Sequence, residues 1–202
     1  NDQRVDGILS RPQLDGAAFD DSVWHSTSRD PQTYVGECSN AIFSLLKKEY
    51  DTPQKRAAAA TARLQAMPAM LAQGEKNLTE PVKLFAQLAI ASARAIDPLF
   101  NDSLLSLAKN LPPNEHKSLM EARDAALQAI HGFADHLEKN LPSMVAFAPM
   151  GEENYNFYLH HLLLLPLDAA KVEMIGRVEP AQFGAYEGGW PDPAVAAPAP
   201  DR

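Results

Sequence analysis

The apolar residues recur at helical spacing along most of the chain. The clearest case is the segment 111–141, where one apolar stripe faces a polar side. That stripe consists of Met120, Leu127, Ile130, Ala134 and Leu137. Residues spaced in this way fall on one face of an α-helix. Alternation with a period of two is short everywhere, and 144–150 is the best strand candidate. The pattern predicts an all-α fold, a bundle of roughly seven helices in antiparallel pairs.

Helix starts are marked by short polar residues, several of them followed by proline. A side-chain oxygen at such a position caps free backbone N–H groups, and proline fits the first helical turn. The predicted starts are Asp30-Pro31, Thr52-Pro53, Thr79, Asp97-Pro98, Gly151 or Glu152, and Asp168. Pro68 lies inside the second of these helices and is predicted to kink or split it near Met67.

The chain divides into three predicted ranges. Residues 1–28 have a mixed pattern and are expected to be an irregular or partly ordered N-terminal segment. Residues 29–187 hold the predicted helices and form a helical domain. Residues 188–202 are rich in proline, which is typical of a linker or an extended tail.

The segment 151–168 carries an unusual mixture of polar and apolar residues. On a helical wheel, one face holds Tyr155, Tyr158, Leu159, Leu162 and Leu165. Phe157 and Leu164 lie nearly opposite that face. A helix with two opposed apolar faces is normally surrounded by other elements. We therefore expect this helix to be enclosed by more protein than the other predicted helices provide.

A narrow polar strip runs between those two faces. It consists of Glu153, Asn156 and His160, and Tyr155 lies beside it. One interpretation is that these residues make satisfied hydrogen bonds inside a core. The other is that they form a wall of a substrate cleft, with His160 or Tyr155 contacting a ligand. These four residues are the candidate cleft residues.

Composition and charge exclude several classes of partner. The chain has 202 residues, a formal net charge of −8 and 46% hydrophobic residues. No cluster of lysine and arginine exceeds a pair such as Lys47-Lys48, so a nucleic-acid partner is not expected. No apolar run approaches the length of a membrane span. Cys38 is the single cysteine, which excludes an internal disulfide, and it lies on an apolar stripe that predicts a buried, inert thiol.

Catalytic motifs are absent from the sequence. None of the six histidines begins a His-Glu-x-x-His zinc motif, and no nucleotide-binding glycine pattern or Gly-x-Ser-x-Gly is found. His131 and Asp135 are one helical turn apart, so they could bind a metal or form a solvated ion pair, and we expect the ion pair. A metal enzyme using these two with His136, or using His160 and His161, remains a third hypothesis. We assign no catalytic residue and no metal ligand.

Several short motifs occur in an order that is similar to a known family. They are Asp30-Pro31 with Tyr34, Leu46-Lys47-Lys48, Arg63-Leu64 with Met67-Pro68, Asn77-Leu78 with Pro81, and Gly151, Tyr155, Ile175, Gly176 and Glu179. Together they resemble the N-terminal half of the bacterial "domain of unknown function 885" family over residues 30–180.

The resemblance implies a mainly helical protein that is longer than this chain and is exported or lipid-anchored. It also implies a zinc motif in a C-terminal half, close to zinc metallopeptidases. This chain would then be a non-catalytic region that walls a peptide cleft. It would pack on that metal-bearing half or on a second copy, and any zinc would belong to the half that this sequence lacks. The alternative is a free-standing helical binding module.

Overall fold

The computed structural model describes residues 2–47 and 51–177. Its helices are α1 (Asp2–Phe19), α2 (Ser26–Arg29), α3 (Pro31–Leu46), α4 (Pro53–Asn77), α5 (Lys83–Arg94), α6 (Asp97–Ala108), α7 (Pro113–Asn140), α8 (Glu152–Phe157) and α9 (169–177). Short π-helical turns follow α1 (Asp20–Trp24) and α8 (Tyr158–Leu162). Over these residues the all-α prediction is confirmed.

The chain forms two compact units. Among the described residues, unit 1 comprises 2–19 and 150–177, and unit 2 comprises 20–47 and 51–149. This division differs from the predicted ranges, because the first helix and the last helices belong to one unit. The predicted proline-rich tail, 188–202, lies outside the described residues.

The N-terminal segment is helical and not irregular. Residues 2–19 form α1, which continues through Pro12. Its last residue, Phe19, is 3% exposed and stacks on the ring of Phe157 at 5.6 Å. These contacts come from residues distant in sequence, so the weak local pattern of this segment did not indicate them.

Three predicted helix caps are confirmed. The Asp30 carboxylate accepts a hydrogen bond from the backbone N–H of Gln32 at 2.8 Å. Thr52 accepts from the N–H of Lys55 at 3.4 Å. Asp168 accepts from the N–H of Lys171 at 2.8 Å, at the start of α9. Each interaction joins residues two or three apart, which is why the sequence alone indicated them.

The predicted helix start at Thr79 is wrong. Helix α5 begins at Lys83 and is preceded by Val82, which makes no side-chain cap. The N–H of Val82 donates instead to the carbonyl oxygen of Arg29 at 2.9 Å. This contact holds the preceding residues outside the helix.

Pro68 does not split its helix, because α4 runs unbroken from Pro53 to Asn77. A proline inside a helix removes one backbone hydrogen bond. Here Leu64, Met67 and Leu71 on the same helix are all buried in the core. Packing of that apolar face therefore outweighs the lost hydrogen bond.

The core of unit 2 lies among α3, α4, α5, α6 and α7, with the long α7 packed on α4 and α5. Its largest fully buried side chains are Ile42, Leu64, Phe100, Leu104, Leu119, Ile130, Phe133 and Leu137. Ile130, Ala134 and Leu137 of the predicted stripe are buried, whereas Met120 and Leu127 are partly buried against the core. The predicted stripe thus gave the side of α7 that faces the core.

The strand candidate 144–150 contains a single bridge in place of a strand. Val145 pairs with Val82 in an isolated parallel β-bridge. The bridge does not extend into a strand, because the residue after Val82, Lys83, is the first residue of helix α5.

Candidate functional site

The helix predicted over residues 151–168 is shorter and less regular than expected. Helix α8 ends at Phe157, and a π-helical turn continues it to Leu162. Leu164 then adopts a φ of 54°, in the left-handed region that leucine rarely enters. A π turn has more residues per turn than an α-helix, so the predicted wheel fails beyond Tyr158.

One side of this segment is covered within unit 1. Leu159 is 2% exposed, and Tyr155, Tyr158 and Leu162 are half-buried. Phe157 was predicted to lie opposite this face, yet it stacks on Phe19, and the ring of Tyr158 lies 6.2 Å from that same Phe19 ring. Helix α1 thus supplies an aromatic partner for Phe157 that the sequence did not indicate, and Phe157 is still 36% exposed.

The end of this segment is exposed to solvent. Leu163, Leu164 and Leu165, which we call the leucine loop, are 46%, 56% and 40% exposed. On the following helix α9, Met174 and Ile175 are also exposed. Consecutive exposed leucines are uncommon on the surface of a self-contained protein and are typical of contact surfaces.

The four candidate cleft residues have different surroundings. Glu153 and His160 are exposed, while Tyr155 and Asn156 are half-buried. The side-chain oxygen of Asn156 accepts a hydrogen bond from the N–H of Ala169 at 2.7 Å, which helps to position the start of α9. The interpretation of satisfied hydrogen bonds therefore applies to Asn156, and Glu153, Tyr155 and His160 stay candidates for ligand contact.

His161 has contacts that the sequence did not indicate. Its ring stacks on Phe157 with 4.3 Å between centroids, and its Nδ1 lies 3.5 Å from a carboxylate oxygen of Asp15. Both contacts belong to unit 1. The sequence analysis did not predict these contacts, because the segment that forms α1 was expected to be irregular.

Two histidines of α7, His131 and His136, take separate partners. The pairs are His131 with Asp97 at 2.8 Å, Asp135 with Arg94, and His136 with Glu75 at 3.9 Å. Over residues 2–47 and 51–177, no three metal-binding side chains come together. The predicted ion pair between His131 and Asp135 is therefore wrong, because each of them takes a partner from another helix.

Cys38 is buried, with a side chain that is 1% exposed. Burial raises the pKa of this thiol to about 12, and the neighbouring Glu37 carboxylate adds to the shift. The thiol is therefore protonated at neutral pH and is a poor nucleophile.

A shallow groove of about 310 Å³ lies between α4 and α7. Its lining consists of Ala57, Ala58, Thr61, Ala62, Gln65, Glu115 and Ser118. The Thr61 hydroxyl already donates to the carbonyl oxygen of Ala57 at 2.9 Å. The groove thus has a small apolar floor and few free polar groups, and no set of side chains suited to catalysis.

None of the described helices is long and apolar enough to cross a membrane. A search of curated proteins found no match to the sequence. Among solved structures, the fold is similar to one described as "a putative lipoprotein of unknown function from Shewanella oneidensis", with 18% identity and a TM-score of 0.68. The likeness covers 92% of this chain and 36% of that chain, so this chain spans little more than a third of that protein's length.

The likeness to that lipoprotein is a likeness of fold, since the sequences are only 18% identical. Family membership comes from the sequence itself. The family model described as "Bacterial protein of unknown function (DUF885)" matches residues 5–185, which is most of the chain. The chain belongs to this DUF885 family of bacterial proteins.

Proposed function

We propose that this chain is a non-catalytic helical region of a longer DUF885 protein. It packs against a metal-bearing region of the same protein and forms one wall of a peptide cleft. The absence of a His-Glu-x-x-His motif supports a role in contacts and not in metal chemistry. In this proposal the residues that would hold zinc belong to the other region, where the metal would supply an activated water for attack on a peptide bond.

The leucine loop is the observation that carries the proposal. Its three side chains are exposed in succession, and each would bury apolar surface on docking. The structurally similar lipoprotein is much longer than this chain, since only 36% of it is covered. A further region is thus a natural occupant of the loop's surface.

The conformation of Leu164 adds support. A leucine at positive φ costs about 1–3 kcal/mol relative to a relaxed backbone. The N–H of Leu165 donates to the carbonyl oxygen of Leu159 at 2.9 Å, which holds the loop in this shape. Such a fixed, strained loop presents its leucines in one arrangement, as a docking surface requires.

Thiol footprinting tests the packing step. The variant Leu164→Cys places a reactive thiol in the loop, and the background is low because Cys38 is buried and protonated. Maleimide labelling is compared between the 202-residue chain and the protein encoded by the complete reading frame. We expect rapid labelling in the chain and at least tenfold slower labelling in the complete protein.

The matched control is Leu105→Cys, since Leu105 lies on α6 in unit 2 and is 49% exposed. It shows that the reagent reaches the chain in both forms. Equal labelling of the Leu164→Cys thiol in the two forms would refute docking through the leucine loop. The same reading frame also shows whether a leader for export and a His-Glu motif are encoded.

The catalytic part of the proposal has its own test. The complete protein is expected to cleave quenched fluorescent peptides, and removal of zinc by a chelator is expected to stop cleavage. Cleavage that is absent, or is unaffected by the chelator, contradicts the assignment to a zinc peptidase. Docking is measured independently of this result.

The alternative is a free-standing binding module, and the core of unit 2 favours it. That core is continuous across five helices of one unit. In this case the Leu164→Cys thiol stays reactive in every form of the protein.

A further inference from the structure

Three short stretches of backbone lie side by side next to the start of α5. The N–H of Val145 donates to the carbonyl oxygen of Pro81 at 3.1 Å, and the N–H of Lys83 donates to Val145 at 2.9 Å. On the other side, Val82 donates to Arg29 at 2.9 Å. Residues 80–82 are therefore held between the carbonyl oxygens at the end of α2 and the bridge to Val145, and Val145 is the outer member of this arrangement.

The chain continues from Val145 as an exposed stretch. Residues 146–149, which we call the edge segment, run without a turn or a bend, and all four are exposed. Their backbone groups make no hydrogen bond to the described part of the chain. An exposed stretch with free backbone groups is a template for pairing with another chain.

The direction of those backbone groups follows from the bridge. In extended chain the N–H and C=O of successive residues point to alternate sides. Both groups of Val145 bond to residues 81–83, so the trans peptide bond that follows directs the N–H of Ala146 away from them. A strand added on this side would pair with Ala146 and Ala148. Donors and acceptors two residues apart match the backbone of an extended peptide. Pro149 lacks an N–H and ends this pattern.

The side chains of the edge segment also suit an extended ligand. Phe147 is 51% exposed, and its ring meets that of Phe85 edge to face at 5.7 Å. Protein edges are usually protected by charges, and residues 146–148 carry none. The aromatic pair provides an apolar surface for a side chain of the ligand.

We propose that residues 146–148 bind an extended peptide, which adds as a strand alongside the edge segment. The ligand is recognised mainly through its backbone, with an apolar side chain against Phe147. This inference deepens the proposed function, and it rests on that proposal for the class of ligand. It places the peptide on unit 2 and assigns its recognition to backbone hydrogen bonds.

The experiment uses a fluorescein-labelled, capped hexapeptide of alternating valine and threonine with one lysine. Binding to the 202-residue chain is measured by fluorescence anisotropy. Two further peptides carry N-methyl groups at alternate residues. One is methylated at the odd positions and the other at the even positions, which we call the two phases. Only one phase blocks the N–H groups that face the edge, so we expect that phase to bind about tenfold more weakly.

The matched protein variants are Ala146→Pro and Ala146→Gly. Proline removes the outward N–H while keeping an extended backbone, and Val145 before it is already extended. Glycine keeps the N–H. We expect the proline variant to weaken binding about three- to tenfold and the glycine variant to change it less than about twofold.

Several results overturn the inference. They are no saturable binding up to about 1 mM peptide, equal binding of the two N-methyl peptides, and equal binding by the two variants. Self-association of the chain that Ala146→Pro abolishes would assign the edge to a second copy instead. The N-methyl series leaves the protein unchanged, so it decides the matter even where a variant unfolds. Because the chain is tested alone, failure here does not affect the footprinting test of docking.

Discussion

Gly74 gives the sharpest test of the packing in unit 2. A methyl group added at this position in α4 would lie 2.8 Å from Cδ1 of Tyr34 and 3.0 Å from its Cε1 and Cγ. The ring has little freedom to retreat, because its hydroxyl donates to Thr27 at 2.6 Å and accepts from Asn77 at 3.2 Å. Tyr34 also packs against Phe133, with 6.1 Å between ring centroids. Gly74→Ala therefore forces two fixed groups together.

Two opposing effects set the magnitude. Alanine is about 1 kcal/mol better than glycine inside a helix. Overpacking a well-filled core costs about 1–3 kcal/mol. We expect Gly74→Ala to lower the free energy of unfolding by up to about 2 kcal/mol, the difference between these terms. A methyl group added at Gly36 or Gly132 meets nothing within 4 Å, so those substitutions are expected to stabilise by about 0.5–1 kcal/mol.

The assay is urea unfolding followed by far-ultraviolet circular dichroism. The difference between Gly74→Ala and Gly132→Ala isolates the steric cost, which we expect to be about 1–3 kcal/mol. In a Tyr34→Ala background the ring is absent, so Gly74→Ala is expected to become stabilising. The reasoning is refuted if Gly74→Ala stabilises the unaltered protein as much as Gly132→Ala does.

Three further predictions follow from buried polar groups. Arg56 is 8% exposed and donates through Nε and Nη2 to the Leu45 carbonyl oxygen. Arg56→Met is therefore expected to lower the free energy of unfolding, measured with urea, by about 1.5–3 kcal/mol. The control Arg63→Met, at an exposed site, is expected to lower it by less than about 1 kcal/mol. Burial raises the pKa of Asp30 above 3.8 despite an opposing backbone hydrogen bond. Its stabilising contribution is therefore complete below pH 3.8 and is lost as pH rises through the folded-state pKa. Asp30→Asn keeps the cap acceptor, so a flatter dependence of stability on pH is expected, and an unchanged pH profile contradicts this. Cys38 is expected to react with Ellman's reagent only after unfolding, and stoichiometric reaction of the folded chain contradicts its burial.

Interactions between near neighbours in sequence were the predictable part of the fold. The caps at Asp30 and Thr52 join residues two or three apart, and the stripe on α7 records which side of one helix is apolar. The error at Thr79 has the opposite origin. Residues before α5 bond to Arg29, about fifty positions earlier in the chain, and no local pattern carries that information.

The candidate site was predictable in position and not in detail. The sequence located the segment with surplus apolar side chains, and the leucine loop lies at its end. It gave no stacking partner for Phe157, because Phe19 lies in a segment that was expected to be irregular. The π turn after Phe157 then rotated every later side chain away from the direction that the helical wheel predicted.

The distribution of buried apolar residues connects these observations. Among the described side chains of unit 1, residues 10–19 and 150–177, only Phe19 and Leu159 are buried apolar residues. Unit 2 holds the remaining buried core. Because apolar burial is the main favourable term in folding, helices with so few buried side chains gain little stability from one another. In the proposed docking, the leucine loop would bury apolar surface against a neighbouring region and so add to the small buried area of these helices.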